Sequence, residues 1–480
     1  MKRDDWKRIL LGALALLGQL VAGAEPGEKP KPNVVFMVAD DLGWRDTGCY
    51  GRKEWNTPNI DKLAASGCRF TQAYAMPVCS PTRTMIVTGR HCVRQGVTDW
   101  WPGYPAPPNS RIQTPTMKPV IPDLGLGTPF VTGGYATCHI GKWHTMGSPA
   151  KLGFQQSLLT DVFHGPTEQN KAEAAVKFIR ENKGQPFFLY LCFSSVHLPL
   201  GALPEKIQQH DGAPNPVYAA MADQLDGYVG TVMQALHELQ LEQNTLVIFY
   251  SDNGGVQLCD GVSRPVTSNL PLRGNKGCLY EGGVRVPLIM SHPPTIKAGS
   301  TSDAMISPAD FFPTLLEFCR LPSCPKNHID GISFAGVLRG EPGKRQELQW
   351  HYPHFSHHAM GFPAGALRKG EWKLIEWFGQ QDEYGRNRIE LFHLTKDPGE
   401  QNNWADRFPH IRNTMLKELE KWRREVGALL PMPAVATNQP AVRQSQQTGW
   451  GSHAWPAELT LLSRTPAWVA HYGASMGAEE

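Results

Sequence analysis

The chain has 480 residues, of which 41% are hydrophobic and 19% charged, and its 47 basic and 44 acidic side chains give a formal charge of +3. That composition is globular and excludes a disordered chain. The length suits one large domain with a smaller one, and the near balance of charge leaves no basic field to grip nucleic acid.

The first element in chain order is an export signal. Lys2, Arg3, Lys7 and Arg8 precede an apolar run over residues 9–22, too short to span a bilayer comfortably. The run ends on Ala22, Gly23 and Ala24, a small-residue cleavage pattern. Residues 1–24 are therefore predicted to be a signal peptide; the competing reading is a buried N-terminal helix. The mature chain is expected to be periplasmic or secreted, with no membrane span once the signal is removed. No N-x-[ST] sequon occurs, which favours a bacterial exported protein over a secretory-pathway glycoprotein. The ten cysteines show no C-x-x-C spacing, so a structural zinc site is not expected. Cys319 and Cys324 are either a small bridged loop or two free thiols.

Apolar runs at residues 34–39, 187–193 and 246–250 predict strands buried on both faces. A weaker strand is expected at 286–290, with Pro287 at an edge. Helical periodicity falls between them, at residues 173–180 and over 218–241, where Met221, Leu225, Val229, Val232 and Leu236 form one stripe. Alternating strands and helices predict an α/β fold: a large domain over residues 25–340 with a mostly parallel central sheet flanked by helices. Residues 341–430 differ. Short strands within 350–376 and 388–393 and a helix over 409–426 predict a smaller C-terminal domain, an antiparallel sheet covered by a helix. Residues 431–480 are expected to be a weakly ordered tail.

The residues just past the strands are more informative than the strands. Asp40 and Asp41 come directly after the first, His197 lies just beyond the second, and Asp252 and Asn253 lie just past the third. In open α/β sheets, ligands bind at the carboxyl ends of the strands. Singly, such residues are turn formers or caps; together they predict one site. The segment Cys79-Ser80-Pro81-Thr82-Arg83 predicts a helix start, with Pro81 in the first turn and Cys79 at the N-terminus. A thiol there is expected to be acidic and reactive. The alternative is an ordinary helix start with a buried cysteine.

This segment resembles the C-x-P-x-R signature of the type I sulfatases, formylglycine-dependent members of the alkaline-phosphatase superfamily. Thr88-Gly89-Arg90 matches the family's next block. Other blocks appear in the family's order. Residues 33–44 resemble the opening strand and its metal-binding pair, Asp40 and Asp41. Residues 134–144, GYATCHIGKWH, resemble the block that supplies Lys142 and His144. Residues 187–199 supply His197, residues 251–254 supply Asp252 and Asn253, and residues 272–287 supply Lys276. The likeness covers roughly residues 33–427, and the chain resembles bacterial exported carbohydrate sulfatases of the arylsulfatase and N-acetylgalactosamine-sulfatase kind. The stretch between His144 and His197 is more compact than is usual for the family.

The resemblance implies a sulfuric ester hydrolase acting on a sulfated carbohydrate. It implies that a maturation enzyme converts Cys79 to formylglycine, whose hydrate attacks sulfur. It assigns Ca²⁺ to Asp40, Asp41, Asp252, Asn253 and the modified Cys79, a set of hard oxygen ligands suited to that ion. Arg83 would hold the nucleophile, Lys142 and Lys276 the sulfate. His197 or Lys276 would protonate the leaving alcohol, and His144 would help to expel sulfate. A sulfate-binding lysine is also expected to be an electrostatic liability in the empty enzyme, so that its loss barely alters thermal stability. The run H-Y-P-H at 351–354 is similar to one that sugar-sulfate sulfatases place at the pocket rim, which implies that His351 and His354 contact the sugar. The alternative is a structural aromatic strand. Trp100 and Trp101 either stack on a sugar or simply pack. Two other functions fit the motifs: a phosphate or phosphonate ester hydrolase of the same superfamily, and a non-catalytic sulfated-glycan binding protein.

Overall fold

The run Asn-Val-Val-Phe-Met-Val-Ala has no alternation of polar and apolar residues, and the strand it forms, β1 (Asn33–Ala39), is buried along its whole length. The computed structural model describes residues 30–101, 103, 104, 106, 110, 112–159, 167–259, 265–381 and 387–433. The expected signal peptide, and all but the first three residues of the expected tail, lie outside the described residues. No helix among the described residues is long and apolar enough to cross a membrane.

In chain order the strands are β1, β2 (Cys68–Phe70), β3 (Ile112–Gln113), β4 (Ala136–Gly141), β5 (Gln156–Leu159), β6 (Phe187–Cys192), β7 (Thr245–Ser251), β8 (Leu288–Ser291), β9 (Ser300–Ser302), β10 (Glu347–Tyr352), β11 (Ala364–Lys369), β12 (Trp372–Gln381), β13 (Asn387–His393) and β14 (Met432–Pro433). Eight of them form one sheet in the order β5-β4-β6-β1-β7-β8-β2-β9. From β5 to β7 every pairing is parallel. Strand β8 runs against both of its neighbours, so it lies inside the sheet and not at the edge expected for it. Pro287 avoids the resulting conflict by standing just before the strand, where its missing N–H breaks no ladder bond.

Alternate residues of β1 serve two cores. Val34, Phe36 and Val38 pack with Phe311 and Phe312 of the helix Phe311–Phe318. Val35, Met37 and Ala39 face the other way, onto Phe178 and Ile179 of the helix Thr167–Asn182 and onto Leu225 and Val229 of the helix Pro216–Glu238. Two-sided coverage explains the uninterrupted apolar runs and fixes the register of the central strands.

Strands β10 to β13 form an antiparallel sheet. Leu367, Leu374 and Leu391 on one face meet Met415 and Leu419 of the helix Pro409–Val426. On the other face, Trp350, Tyr352 and Trp377 share a core with Tyr74, Met76, Val78 and Met85 of the large domain. That core presses the small sheet onto the segment leading into Cys79. All ten cysteines are free thiols, so Cys319 and Cys324 are not bridged. The stretch 119–134 is helical only over Gly127–Thr132.

Candidate active site

Four neighbouring parallel strands, β4, β6, β1 and β7, present their carboxyl ends side by side. The chain leaves β1 directly into Asp40 and Asp41, and β7 directly into Asp252 and Asn253. Main-chain bonds stitch these exits together. Asp40 N donates to Ser195 O at 3.0 Å, Val196 N to Asp40 O at 2.8 Å, and Asp252 N to Ala39 O at 3.2 Å. Strand β4 ends on Gly141, at φ 98°. A Cβ there would lie 1.9 Å from the Cys192 carbonyl oxygen, so only glycine lets the chain turn Lys142 into the site.

The helix Cys79–Thr88 enters from outside the sheet with Cys79 as its first residue, and all ten of its residues are buried. Thr82 Oγ1 accepts from Met76 N at 2.8 Å, which fixes the approach to Cys79. The loop carrying Lys276 docks on the same approach, since Gly277 N donates to Pro77 O at 2.8 Å.

Three buried carboxylates each meet their own buried cation. Lys142 Nζ pairs with Asp40 Oδ2. Lys276 Nζ lies 2.7 Å from Asp41 Oδ1. Arg83 Nη2 lies 2.7 Å from Asp252 Oδ2, while its Nη1 donates to Lys142 O at 2.9 Å. Asn253 Nδ2 donates to Asp41 Oδ1 at 2.8 Å, and His197 Nε2 lies 3.7 Å from Asp41 Oδ2. Charges this deep require partners. The expectation that the lysines stand as uncompensated charge is therefore corrected: each has a carboxylate, supplied by a distant segment.

The pairing governs the ionisation of the cluster. Burial pushes Asp40 towards neutrality, but Lys142, His197, Arg83 and Lys276 together hold it well below the usual carboxylate range. Burial likewise opposes ionisation of Asp41, and Lys276 with His197 outweighs it. Asp252 goes the other way, pushed up to about 7 by burial and by Asp40 despite Arg83. Burial lowers His144 to about 3, helped by Lys142, and His197 to about 4, helped by Lys276. Burial also raises the Cys79 thiol above its ordinary range, against the pull of Lys142 and Lys276. The acidic thiol expected at this helix start is thus corrected, because desolvation outweighs the nearby cations.

Asp40, Asp41 and His197 offer donor atoms that all lie within 4.8 Å of one another. Asp40 Oδ1 and Asn253 Oδ1 are buried and make no hydrogen bond. Orphaned oxygens beside clustered carboxylates are what a hard cation satisfies, so the residues fit such an ion. Two non-glycine residues here sit in the left-handed region, Asp41 at φ 64° and His144 at φ 45°. Such strain persists where the surroundings over-determine the backbone, and it clusters at active sites.

Cys79 Sγ lies 3.1 Å from His144 Nδ1, and His144 Nε2 lies 3.0 Å from Trp101 O. A carbonyl only accepts, so Nε2 carries the proton and Nδ1 presents its lone pair to residue 79. Trp101 N also donates to Ser80 Oγ at 3.0 Å. Main-chain atoms of Trp101 have no signature in sequence, and no motif points to this anchor.

The His-rich run divides. His351 is fully buried, its Nε2 bonded to Leu429 O at 2.9 Å. His354 Nε2 meets Thr98 Oγ1 at 2.7 Å. Two histidines outside the H-Y-P-H motif, His357 and His358, lie near Lys276 and His197, and His357 is near Asp41 as well. The ring centroid of His357 stands 6.2 Å from that of Trp100 and 5.4 Å from that of Tyr104.

Among known families, one described as Sulfatase matches residues 32–319, and one described as N-sulphoglucosamine sulphohydrolase, C-terminal, matches residues 274–425. Human arylsulfatase A is 29% identical, over 86% of this chain and 91% of its own. N-acetylgalactosamine-6-sulfatase of Rattus norvegicus is 28% identical, over 82% of this chain and 84% of its own. The crystal structure of Ps i-CgsB in complex with k-i-k-neocarrahexaose has a TM-score of 0.68 at 27% identity, covering 82% of this chain and 92% of that one.

Proposed function

The chain belongs to the sulfatase family and is a sulfuric ester hydrolase, and from that premise we propose that it is an exported enzyme that removes sulfate from a sulfated carbohydrate, with formylglycine at position 79 and Ca²⁺ as its working groups. The observation that carries the reading is the meeting of Cys79, three paired carboxylates and three cations at the ends of four parallel strands. Relatives named for N-acetylgalactosamine 6-sulfate, and one crystallised with a neocarrahexaose, support the substrate class. The cationic start and short apolar run of residues 1–24 support export.

Asp40, Asp41, Asp252 and Asn253 would hold the cation, with residue 79 as a further ligand. The cation would supply fixed positive charge there, and formylglycine an oxygen able to attack sulfur. The chain's own residues do the rest. Arg83 holds Asp252 and the carbonyl of Lys142, keeping the floor of the site rigid. Lys142 and Lys276 bind sulfate oxygens by giving up part of their hold on Asp40 and Asp41. Both then stabilise the negative charge that grows as the S–O bond breaks. His144 Nδ1, its lone pair aimed at residue 79, takes the proton from that position. His197 or Lys276 protonates the departing alcohol.

Turnover of 4-nitrophenyl sulfate and 4-nitrophenyl phosphate, N-acetylgalactosamine 6-sulfate and a neocarrahexaose, with mass spectrometry of the peptide around Cys79, tests the reading. Sulfate release from a saccharide by protein carrying formylglycine is expected. Faster phosphate ester hydrolysis would make the chain a phosphatase of the same superfamily. Saccharide binding without release would make it a glycan-binding protein.

A further inference from the structure

Trp101 combines a fixed main chain with an exposed side chain. Its main chain is locked on both sides against the reacting residues, with N bonded to Ser80 Oγ and O to His144 Nε2, both at 3.0 Å. Its indole is nonetheless 53% exposed, while Trp100 beside it is partly buried against the core that joins the two domains. A large aromatic ring left in water forgoes the burial that usually determines where tryptophan sits. Here the main chain that carries the ring is held beside the nucleophile position, because Ser80 adjoins Cys79 and His144 touches it.

The surroundings say what would cover it. Around Cys79 stand the buried cations Lys142 and Lys276, which suit an anion. Near Lys276, His357 presents a half-buried imidazole beside Tyr104 and Trp100, the neighbour of Trp101 in the chain. A flat apolar face, a polar imidazole and an anion site around one nucleophile position suit a pyranose. Its C–H face stacks on indole, its hydroxyls bond to imidazole, and its sulfate enters the cationic pocket. We propose that Trp101 is the stacking platform for the sugar ring that bears the scissile sulfate, with His357 as the hydrogen-bonding partner across from it. The proposal rests on the carbohydrate reading above and goes beyond it by naming the residues that select a sugar over other sulfate esters.

The contacts to Ser80 and His144 use main-chain atoms, so Trp101→Ala keeps both. The measured quantity is the ratio of kcat/KM on a saccharide sulfate to kcat/KM on 4-nitrophenyl sulfate. The saccharide is whichever of N-acetylgalactosamine 6-sulfate and the neocarrahexaose the wild type hydrolyses. Trp101→Ala should lower that ratio about tenfold or more, through KM for the saccharide, and Trp101→Phe should restore most of it. His357→Ala should lower the ratio as well. An unchanged ratio in Trp101→Ala would overturn the platform, and so would an equal loss on both esters, which would mean that the residue acts through His144. A wild type that cleaves 4-nitrophenyl sulfate but neither saccharide would overturn the carbohydrate reading itself, whatever the variants do.

Discussion

Cys79 Sγ and His144 Nδ1 stand 3.1 Å apart, and the proton of that imidazole is committed to the Trp101 carbonyl on its far side. The contact puts a lone pair, not a positive charge, against residue 79. Burial raises the thiol of Cys79 and lowers His144 to about 3, so neither group ionises to form a thiolate–imidazolium pair. An unmodified cysteine is therefore a poor nucleophile here, which supports the proposed conversion to formylglycine. Cys79→Ala removes only a sulfur atom from a buried helix start and should fold normally. Turnover should fall to the background rate, and activity within tenfold of wild type would remove residue 79 from the mechanism.

Lys142 and Lys276 should matter for stability as well as rate. Each is buried, and each neutralises a carboxylate that lies deeper still. Removing one partner of a buried pair leaves an uncompensated charge, which costs about 3–5 kcal/mol. Lys142→Ala and Lys276→Ala should therefore unfold at lower denaturant concentration in metal-free buffer. The deficit should shrink when a divalent cation is added, because the cation then offsets Asp40 and Asp41. In both variants kcat/KM should fall by about two or more orders of magnitude. The double variant should lose less than the product of the single losses, since the proposed mechanism places both lysines on one sulfate.

Metal removal should separate activity from folding. The three carboxylates already have three cations, so chelation leaves a neutralised cluster behind. We expect EDTA to abolish turnover while the far-ultraviolet circular dichroism stays native, and Ca²⁺ to restore turnover. Elemental analysis should give one calcium per chain. Stoichiometric zinc would contradict a donor set dominated by hard oxygens.

Much of this site was legible because its residues sit in short contiguous blocks at strand ends, where a polar residue after a buried apolar run stands out. The pairing among blocks was not legible. Lys142 and Asp40 are 102 residues apart, and Lys276 and Asp41 are 235 apart. No local pattern reports such contacts, which is why the lysines read as uncompensated charge. His357 was hidden for a different reason. It shares its run with His351, His354 and His358, and only the turn of the chain after β10 brings residues 357 and 358 near Lys276. Strand β8 was misplaced because Pro287 weakens its apolar run, although the proline precedes the strand and breaks nothing.

The last prediction concerns Asp99, whose loop carries the Trp101 carbonyl. Asp99 is buried and accepts from Tyr352 OH at 2.9 Å, Trp100 N at 2.8 Å and Tyr104 N at 3.1 Å. Burial nevertheless outweighs these donors and pushes its carboxyl up to about 7. In the unfolded chain the same carboxyl titrates at about 3.9. Between those values the folded state holds a proton that the unfolded state has lost. By linkage, this residue's contribution to stability falls as pH rises from about 4 to about 7, then levels off. Asp99→Asn stays neutral throughout and should lack that slope. Urea unfolding of the two proteins at pH 5 and pH 8 isolates the effect, because every other titrating group is common to both. The variant should gain on the wild type by about 1–4 kcal/mol between the two pH values, since each pH unit crossed within that window is worth about 1.4 kcal/mol. A difference that does not change with pH would mean that Asp99 is ionised in the folded protein, with Tyr352 and the two amides stabilising its charge in full.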